Sequence, residues 1–369
     1  MTKSPAIVGI VGVLVGLLVG SFIFAGKTET DGQVTTVADS DATSETAEKV
    51  RWKMASSFSG QLILAGTMGK ELEAQVAKLS NDEIELKFFD PGALVPALEI
   101  FDAVSAGAVN AGWSTPGFWA GKVPALQFFS AVPFGPSAGE MVAWMYHGGG
   151  LELMQEIYAR YNIYSQPCML IPPEGAGWFT REINSIEELK GLKMRFFGLG
   201  AKVMEKIGVS TQLIAAGDIF PALELGTIDA TEFSLPAIDL DLGFHAVAKH
   251  YYFPGWHQPS TMGELMINLP NWNTLSEQQQ TVINEACRSN MLKSYAEGEA
   301  IQFPALQELQ AQGVTLHRWP DETIEVFRAA WEEVVVEEAA NDPEFAKVLA
   351  SLTEFRENYK VWGDLGYLD

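Results

Sequence analysis

Cysteine is scarce in this chain: only Cys168 and Cys287 occur among 369 residues. That count excludes a disulfide-rich scaffold and any multi-cysteine metal centre. Nothing in the spacing pairs the two, so two buried thiols are the expectation, although an oxidising compartment would permit a bond. Histidine is nearly as rare, with five residues and none at zinc-ligand spacing. Positive charge is also short: Lys and Arg total 24 against 47 Asp and Glu, for a formal net charge of −23. This balance argues against nucleic acid or an anionic membrane surface as a partner, and its plainest meaning is solubility. The G-x-S-x-G elbow, the H-E-x-x-H motif and the G-x-x-x-x-G-K-[ST] loop are all absent. An exported enzyme would need one of these or a comparable centre. "GGG" at 148–150 alone is a weak phosphate signal.

What the chain does have begins with an unbroken apolar run, Ala6 to Ala25, preceded by Lys3. Its length suits a bilayer-spanning helix. No small-x-small cleavage site closes it, and no cysteine follows that would allow lipoprotein processing. An uncleaved signal-anchor is expected over residues 1–25, with a cleaved export signal as the alternative. Gly12, Gly16 and Gly20 have the G-x-x-x-G spacing that lets membrane helices pair, though glycine as ordinary membrane-helix filler is the simpler reading. Residues 26–49 are rich in Thr, Ser, Asp and Glu without apolar periodicity, as a disordered acidic linker should be. Lys3 before the run and acid after it orient the body away from the cytoplasm.

From residue 50 the chain reads as alternating strands and helices. "VRWKMASSF" alternates as a first strand, a helical stretch carries Leu72, Val76 and Leu79, and "IELKFF" forms a second strand. Further strands are expected at 109–113 and 228–233, and a helix at 217–225 stopped by Gly226. A short helix capped by Asn184 or Ser185 should end at Gly191. Residues 276–315 and 320–369 read as mainly helical. The order predicts an α/β fold around mostly parallel sheets, where ligands bind at the carboxyl ends of strands.

That rule draws attention to "LKMRFFGLG", residues 192–200. Arg195 lies near the carboxyl end of one candidate strand and Glu232 near the end of the next. Gly198 and Gly200 allow close backbone approach, and the helix beyond offers unpaired N–H groups. Arg195 could clamp a small carboxylate, since its planar fork matches two oxygens. Equally, Arg195 and Glu232 could simply pair with each other. Spacing alone leaves both readings open.

Several motifs together resemble a known family. "PFGPSAGEMVAWMYHGGGLELMQEIY", "GWFTREINSIEELKGLKMRFFGLGAKVMEKIG", "IFPALELGTIDATEF" and "HYYFPGWHQPSTMGELMIN" are similar to the DctP-type extracytoplasmic solute receptors of tripartite ATP-independent periplasmic (TRAP) transporters. The branch they resemble binds 2-oxo acids, lactate and related monocarboxylates. The resemblance runs from about residue 50 to 369. It implies a periplasmic-binding-protein-like fold: lobe I over 50–172 with 262–320 returning to it, and lobe II over 173–261. A hinge and a long C-terminal helical segment, 321–369, complete it. It further implies that Arg195 binds the ligand carboxylate, and that Glu232 and the backbone carbonyl of Phe233 hold a metal ion beside it. The family's third metal ligand, a glutamine, falls on Glu174 here. With a second carboxylate the site suits a divalent ion such as Ca²⁺ better than Na⁺. Without any metal, the crowded carboxylates would take up a proton.

The aromatics Phe58, Trp113, Phe118, Trp119, Trp178, Phe196 and Trp256 fall near strand ends or loops. Trp113, Trp178 and Phe196 are expected to touch ligand, favouring a small, partly apolar carboxylate over a sugar. His257 and Gln258, in "GWHQP", are expected at the hinge, with His257 in a packing role. The function implied is capture of a small organic acid and delivery to a TRAP membrane permease, with no bond made or broken. A receptor feeding a membrane sensor would use the same cleft. The C-terminal segment either pairs two copies as a homodimer or braces both lobes within one chain.

Overall fold

Alternation in the first strand and in those after it has a direct outcome: apolar side chains that recur every second residue turn to one face and stack on helices. The computed structural model describes residues 49–367. The expected anchor at 1–25, its three glycines and the linker up to residue 48 lie outside the described residues. Eleven strands follow in chain order among the described residues: β1 Val50–Ser56, β2 Ile84–Phe89, β3 Ala111–Ser114, β4 Ile163–Ile171, β5 Gly177–Phe179, β6 Lys193–Arg195, β7 Ser210–Gln212, β8 Ala230–Thr231, β9 His250–Phe253, β10 Thr261–Asn268 and β11 Thr315–Arg318. They form two sheets, ordered β2-β1-β3-β10-β4 and β11-β9-β5-β8-β6-β7.

In the first sheet β1 pairs parallel with β2 and β3, while β10 runs antiparallel between β3 and β4. In the second, β6 is parallel to β7 and β8, and β5 is antiparallel to β8 and β9. The chain passes between the sheets through residues 172–176 and returns through 254–260. The return to the first lobe stops short of residue 320, because β11 pairs with β9 in the second sheet. The expected helix at 217–225 is Ala216–Glu224, and the short helix after Ser185 is a 3₁₀ turn, Ile186–Leu189, without a side-chain cap. Gly191 and Gly226 both take a positive φ where these elements end, which a side chain would resist.

Strand β4 is an edge strand and would expose unpaired backbone. Helix Glu277–Ala300 covers it. Asn290 donates to the Cys168 carbonyl at 2.9 Å, and the Leu170 N–H donates to Ser294 Oγ at 2.9 Å. Cys168 and Cys287 meet across the same contact as a disulfide. The expectation of two buried thiols is thereby corrected: their sequence separation of 119 residues hid a pairing that only the docking of this helix on β4 creates. A disulfide also fits an oxidising compartment.

The C-terminal segment is two helices, Asp321–Asn341 and Pro343–Gly366, separated at Asp342. The first packs on helix Gly198–Lys206 of the second lobe, where Lys202 meets Glu338 at 3.0 Å. The second packs on the first lobe, with Phe345 against Phe128 and Arg356 bonded to Glu140 and the Phe134 carbonyl. This pair therefore braces both lobes of one chain. No helix among the described residues is long and apolar enough to cross a membrane.

Replacing both cysteines by serine should lower stability by about 3–5 kcal/mol, because the bond closes a long loop in the unfolded chain. Thermal melting of this variant against the oxidised protein checks it. Equal melting temperatures would mean that the thiols are free.

Candidate functional site

Strands β6 and β8 are parallel neighbours, so the residues that follow them leave the sheet side by side. Arg195 ends β6, and Glu232 comes just after β8. Arg195 Nη1 donates to Glu232 Oε1 at 2.8 Å and to the Glu232 carbonyl at 2.7 Å, while Nε donates to the Ile214 carbonyl at 3.2 Å. The Phe197 N–H, at the start of helix Gly198–Lys206, also donates to Glu232 Oε1. Arg195 is 1% exposed and Glu232 0%, a depth at which either charge alone would be costly. The ion pair left open by spacing is present. It does not exhaust either partner. Arg195 Nη2 has no hydrogen-bond partner among the described residues, and Glu232 Oε2 is buried and unpartnered.

Glu174 arrives on the crossing between the sheets. Its N–H donates to the Gln258 carbonyl at 3.2 Å, and its Oε1 accepts from Thr261 at 2.8 Å. Its Oε2 is buried without a partner. Burial first, and the nearby Glu232 carboxylate second, push Glu174 well above the ordinary carboxylate range. Glu232 goes the other way. Burial raises it, but Arg195, His257 and the Phe197 N–H together outweigh that, and the net direction is down. His257 stands at the same point, with Nε2 3.5 Å from Glu232 Oε2.

Arg195 and Glu174 share the wall of a small cavity, about 30 Å³, with Phe58, Phe118, Phe197 and Phe233. The Arg195 guanidinium lies 5.1 Å from the Phe233 ring centre. A wider groove of about 920 Å³ opens between the 57–62 and 90–99 segments of one lobe and residues 213–218 of the other. None of its lining residues carries a buried unpartnered polar atom among the described residues, so the chemistry belongs to the smaller cavity.

Of the residues read from sequence, Glu174, Arg195, Glu232 and Phe233 come together. Trp113, Trp178 and Phe196 do not line the cavity. Trp113 is fully buried with its N–H given to the Ala65 carbonyl at 2.7 Å, so it holds a segment whose Ala65 faces the cavity. Trp178 stacks on Tyr251 and donates to Asp239 Oδ2 at 2.8 Å. Phe196 turns away and packs edge-on against His257, and its neighbour Phe197 takes the cavity wall, as alternation in extended backbone requires. Trp119 and Trp256 are also elsewhere, donating to Glu264 and stacking on Phe327. Gln258, expected at the hinge, lines the cavity with a buried, unpartnered Oε1.

Asp239 supports the floor from below, accepting from Trp178 and from Tyr251 on Oδ2 and from the Ser234 N–H on Oδ1. Burial pushes it up to about 7. An acid whose value is raised by folding binds its proton more tightly when folded, so stability declines as pH rises from about 4 to about 7. The melting temperature of the chelator-treated protein should therefore fall across that window, and less steeply in Asp239→Asn. Identical slopes would place the dependence on other groups.

A cation fits this arrangement. Glu174, Glu232 and His257 each present one donor atom, all within 4.8 Å of one another, and each residue holds a buried atom that no protein group satisfies. Hard carboxylate oxygens of this kind suit metal ions.

With this geometry in hand, relatives are informative. The family model for bacterial extracellular solute-binding proteins of family 7, DctP, matches residues 58–342. A monocarboxylate 2-oxoacid-binding periplasmic protein of Nostoc sp. (strain PCC 7120) is 36% identical over 322 residues, covering 86% of this chain and 87% of its own. Two solved structures are also similar. One is a TRAP periplasmic solute-binding protein from Pseudoalteromonas atlantica with bound sodium and pyruvate, at TM-score 0.83 and 34% identity over 86% of this chain and 97% of that one. The other, from Colwellia psychrerythraea, carries calcium and pyruvate, at TM-score 0.82, 35% identity and the same coverage. The chain belongs to the DctP family of bacterial extracellular solute-binding proteins, the extracytoplasmic receptors of TRAP transporters, which bind rather than transform their ligands.

Proposed function

We propose that this receptor captures a small 2-oxo or 2-hydroxy monocarboxylate through Arg195 and a bridging cation, and delivers it to a TRAP membrane permease. The observation that carries the reading is the buried Arg195–Glu232–Glu174 constellation on the wall of a small cavity. Arg195 presents the free Nη2 to the ligand carboxylate while Nη1 stays on Glu232. Glu232, Glu174 and the Phe233 carbonyl are the cation's ligands. Two carboxylates, one guanidinium and the ligand's own carboxylate leave two negative charges, which a divalent ion such as Ca²⁺ offsets and Na⁺ offsets only in part. Four phenylalanine rings around one guanidinium suit a small carboxylate with one apolar end better than a sugar, which wants more polar partners.

Closure follows from contacts between the lobes. Phe118 of the first lobe meets Phe197 of the second edge-on at 5.3 Å. A Cβ on Gly117 would lie 2.2 Å from the Phe197 ring, so any other residue there would force that ring to move. Tethering of the body to the inner membrane through residues 1–25 belongs to the same reading. So does a second copy as partner, for which the exposed Val361, Trp362 and Leu365 near the chain end offer an apolar surface.

Two expected outcomes test it. Arg195→Ala should weaken pyruvate binding by about 2–5 kcal/mol, since the ligand carboxylate and Glu232 both lose their partner. Tryptophan-fluorescence titration reads it, with circular dichroism confirming the fold, and unchanged affinity in a folded variant removes the assignment. Gly117→Val should lower affinity at least tenfold and enlarge the radius of gyration in the presence of pyruvate, measured by X-ray scattering. An unaltered radius and affinity would mean that the Gly117–Phe197 contact does not govern closure.

A further inference from the structure

Glu264 takes no part in the reading above, yet it is a carboxyl group set in the core of the first lobe. It lies on β10 at 0% exposure, and no Lys, Arg or His pairs with it among the described residues. Hydrogen-bonding groups from three elements face it instead. Oε1 accepts from Trp119 Nε1 at 2.8 Å, and Oε2 accepts from Ser165 Oγ of β4 at 2.6 Å. The Tyr158 hydroxyl, on helix Gly150–Ala159, stands beside it, fully buried and without a hydrogen-bond partner. Tyr158 is the only titratable group facing it among the described residues. A break in register aims the side chain there: Gly263 pairs with Met169 but Glu264 with Pro167, so β4 carries one extra residue at this point.

The bond to Trp119 matters because of what that residue ends. Trp119 closes the 3₁₀ turn Pro116–Trp119, which sets Gly117 and Phe118 against Phe197 and packs on helix Gly198–Lys206 of the second lobe. The other end of the turn is tied to the same strand, for Thr115 Oγ1 donates to the Met262 carbonyl at 2.9 Å. Two residues of β10 therefore clamp the segment that brings Thr115 and Phe118 to the cavity wall. An amide would accept an indole N–H at less cost than a carboxyl at this depth. Burial pushes the Glu264 carboxyl up to about 7, so its proton content, and with it the bond to Trp119, varies across neutral pH.

We propose that Glu264 is a positioning residue for ligand capture, holding through Trp119 the turn that carries Gly117 and Phe118 to the second lobe. The inference rests on the cavity being the ligand site, as proposed above, but not on the cation or on which acid is held.

The test uses the full chain, oxidised and with CaCl₂ present. Glu264→Leu removes the acceptor and should weaken pyruvate binding about tenfold or more. Glu264→Gln still accepts from the indole through its amide oxygen and should stay within about threefold. Trp119→Phe should match Glu264→Leu, and the double variant should fall no more than about twofold beyond either one, since both changes break the same bond. Without any acid, amide hydrogen exchange over residues 115–120 should quicken about fivefold or more in Glu264→Leu and not in Glu264→Gln. In the unaltered protein the Trp119 indole N–H resonance, assigned by its loss in Trp119→Phe, should shift along a titration near pH 7 that Glu264→Gln abolishes. A folded Glu264→Leu variant with unchanged affinity, or additive losses in the double variant, overturns the proposal. So does an indole resonance indifferent to pH, which is read on the unaltered protein and decides even if the variants fail to fold. Pyruvate binding with unchanged exchange in Glu264→Leu would leave the receptor standing without Glu264. No binding of pyruvate or any related acid by the unaltered protein would remove the capture reading alone, because exchange and the indole resonance report the hold on the turn without a ligand.

Discussion

The buried pair of Arg195 and Glu232 is the contact on which the rest of this site depends. Neither group could be held at such depth alone, and the parallel pairing of β6 with β8 sets them side by side before any ligand arrives. The pair is also incomplete by design of its hydrogen bonds: the guanidinium keeps one nitrogen free and the carboxylate keeps one oxygen free. In the proposed reading this pair is pre-organised for a second anion and a cation, so that the binding energy of both need not be spent on orienting the arginine.

Two opposite displacements of carboxyl groups follow from that pair. Burial and the Glu232 charge push Glu174 up, while Arg195, His257 and a backbone N–H outweigh burial at Glu232 and hold it down. In the proposed reading, a cation between the two carboxylates offsets their mutual repulsion, and the acid's carboxylate meets both the cation and Arg195. Below this layer, Trp178, Tyr251 and Asp239 fix the segment that carries Phe233 and Ser234. The C-terminal helices, one on each lobe, tie the two together and contribute no residue to the cavity wall.

Much of this was legible in the sequence, and what was missed has identifiable causes. Arg195 and Glu232 stood out because charges at strand ends in an apolar run need partners, and Glu174 because it stands where the family has an amide. Phe197 rather than Phe196 lines the cavity because a one-residue shift in extended backbone reverses the face, and two adjacent phenylalanines do not say which faces in. Trp113 and Trp178 sit in the right segments, but their N–H groups serve the scaffold, a commitment that depends on partners 48 and 61 residues away. Cys168 and Cys287 meet only because a helix caps an edge strand. Strand β11 falls in the second sheet for a similar reason: its partner β9 is separated from it in the chain by β10 and three helices.

The most direct measurement is calorimetric titration with pyruvate and other short 2-oxo and 2-hydroxy acids, with a divalent cation, with Na⁺ alone and after chelation. The account predicts binding at micromolar or tighter affinity with the divalent ion, weaker binding with Na⁺ and loss of binding on chelation. Tight binding that is indifferent to the cation, or no binding of any such acid, would contradict it.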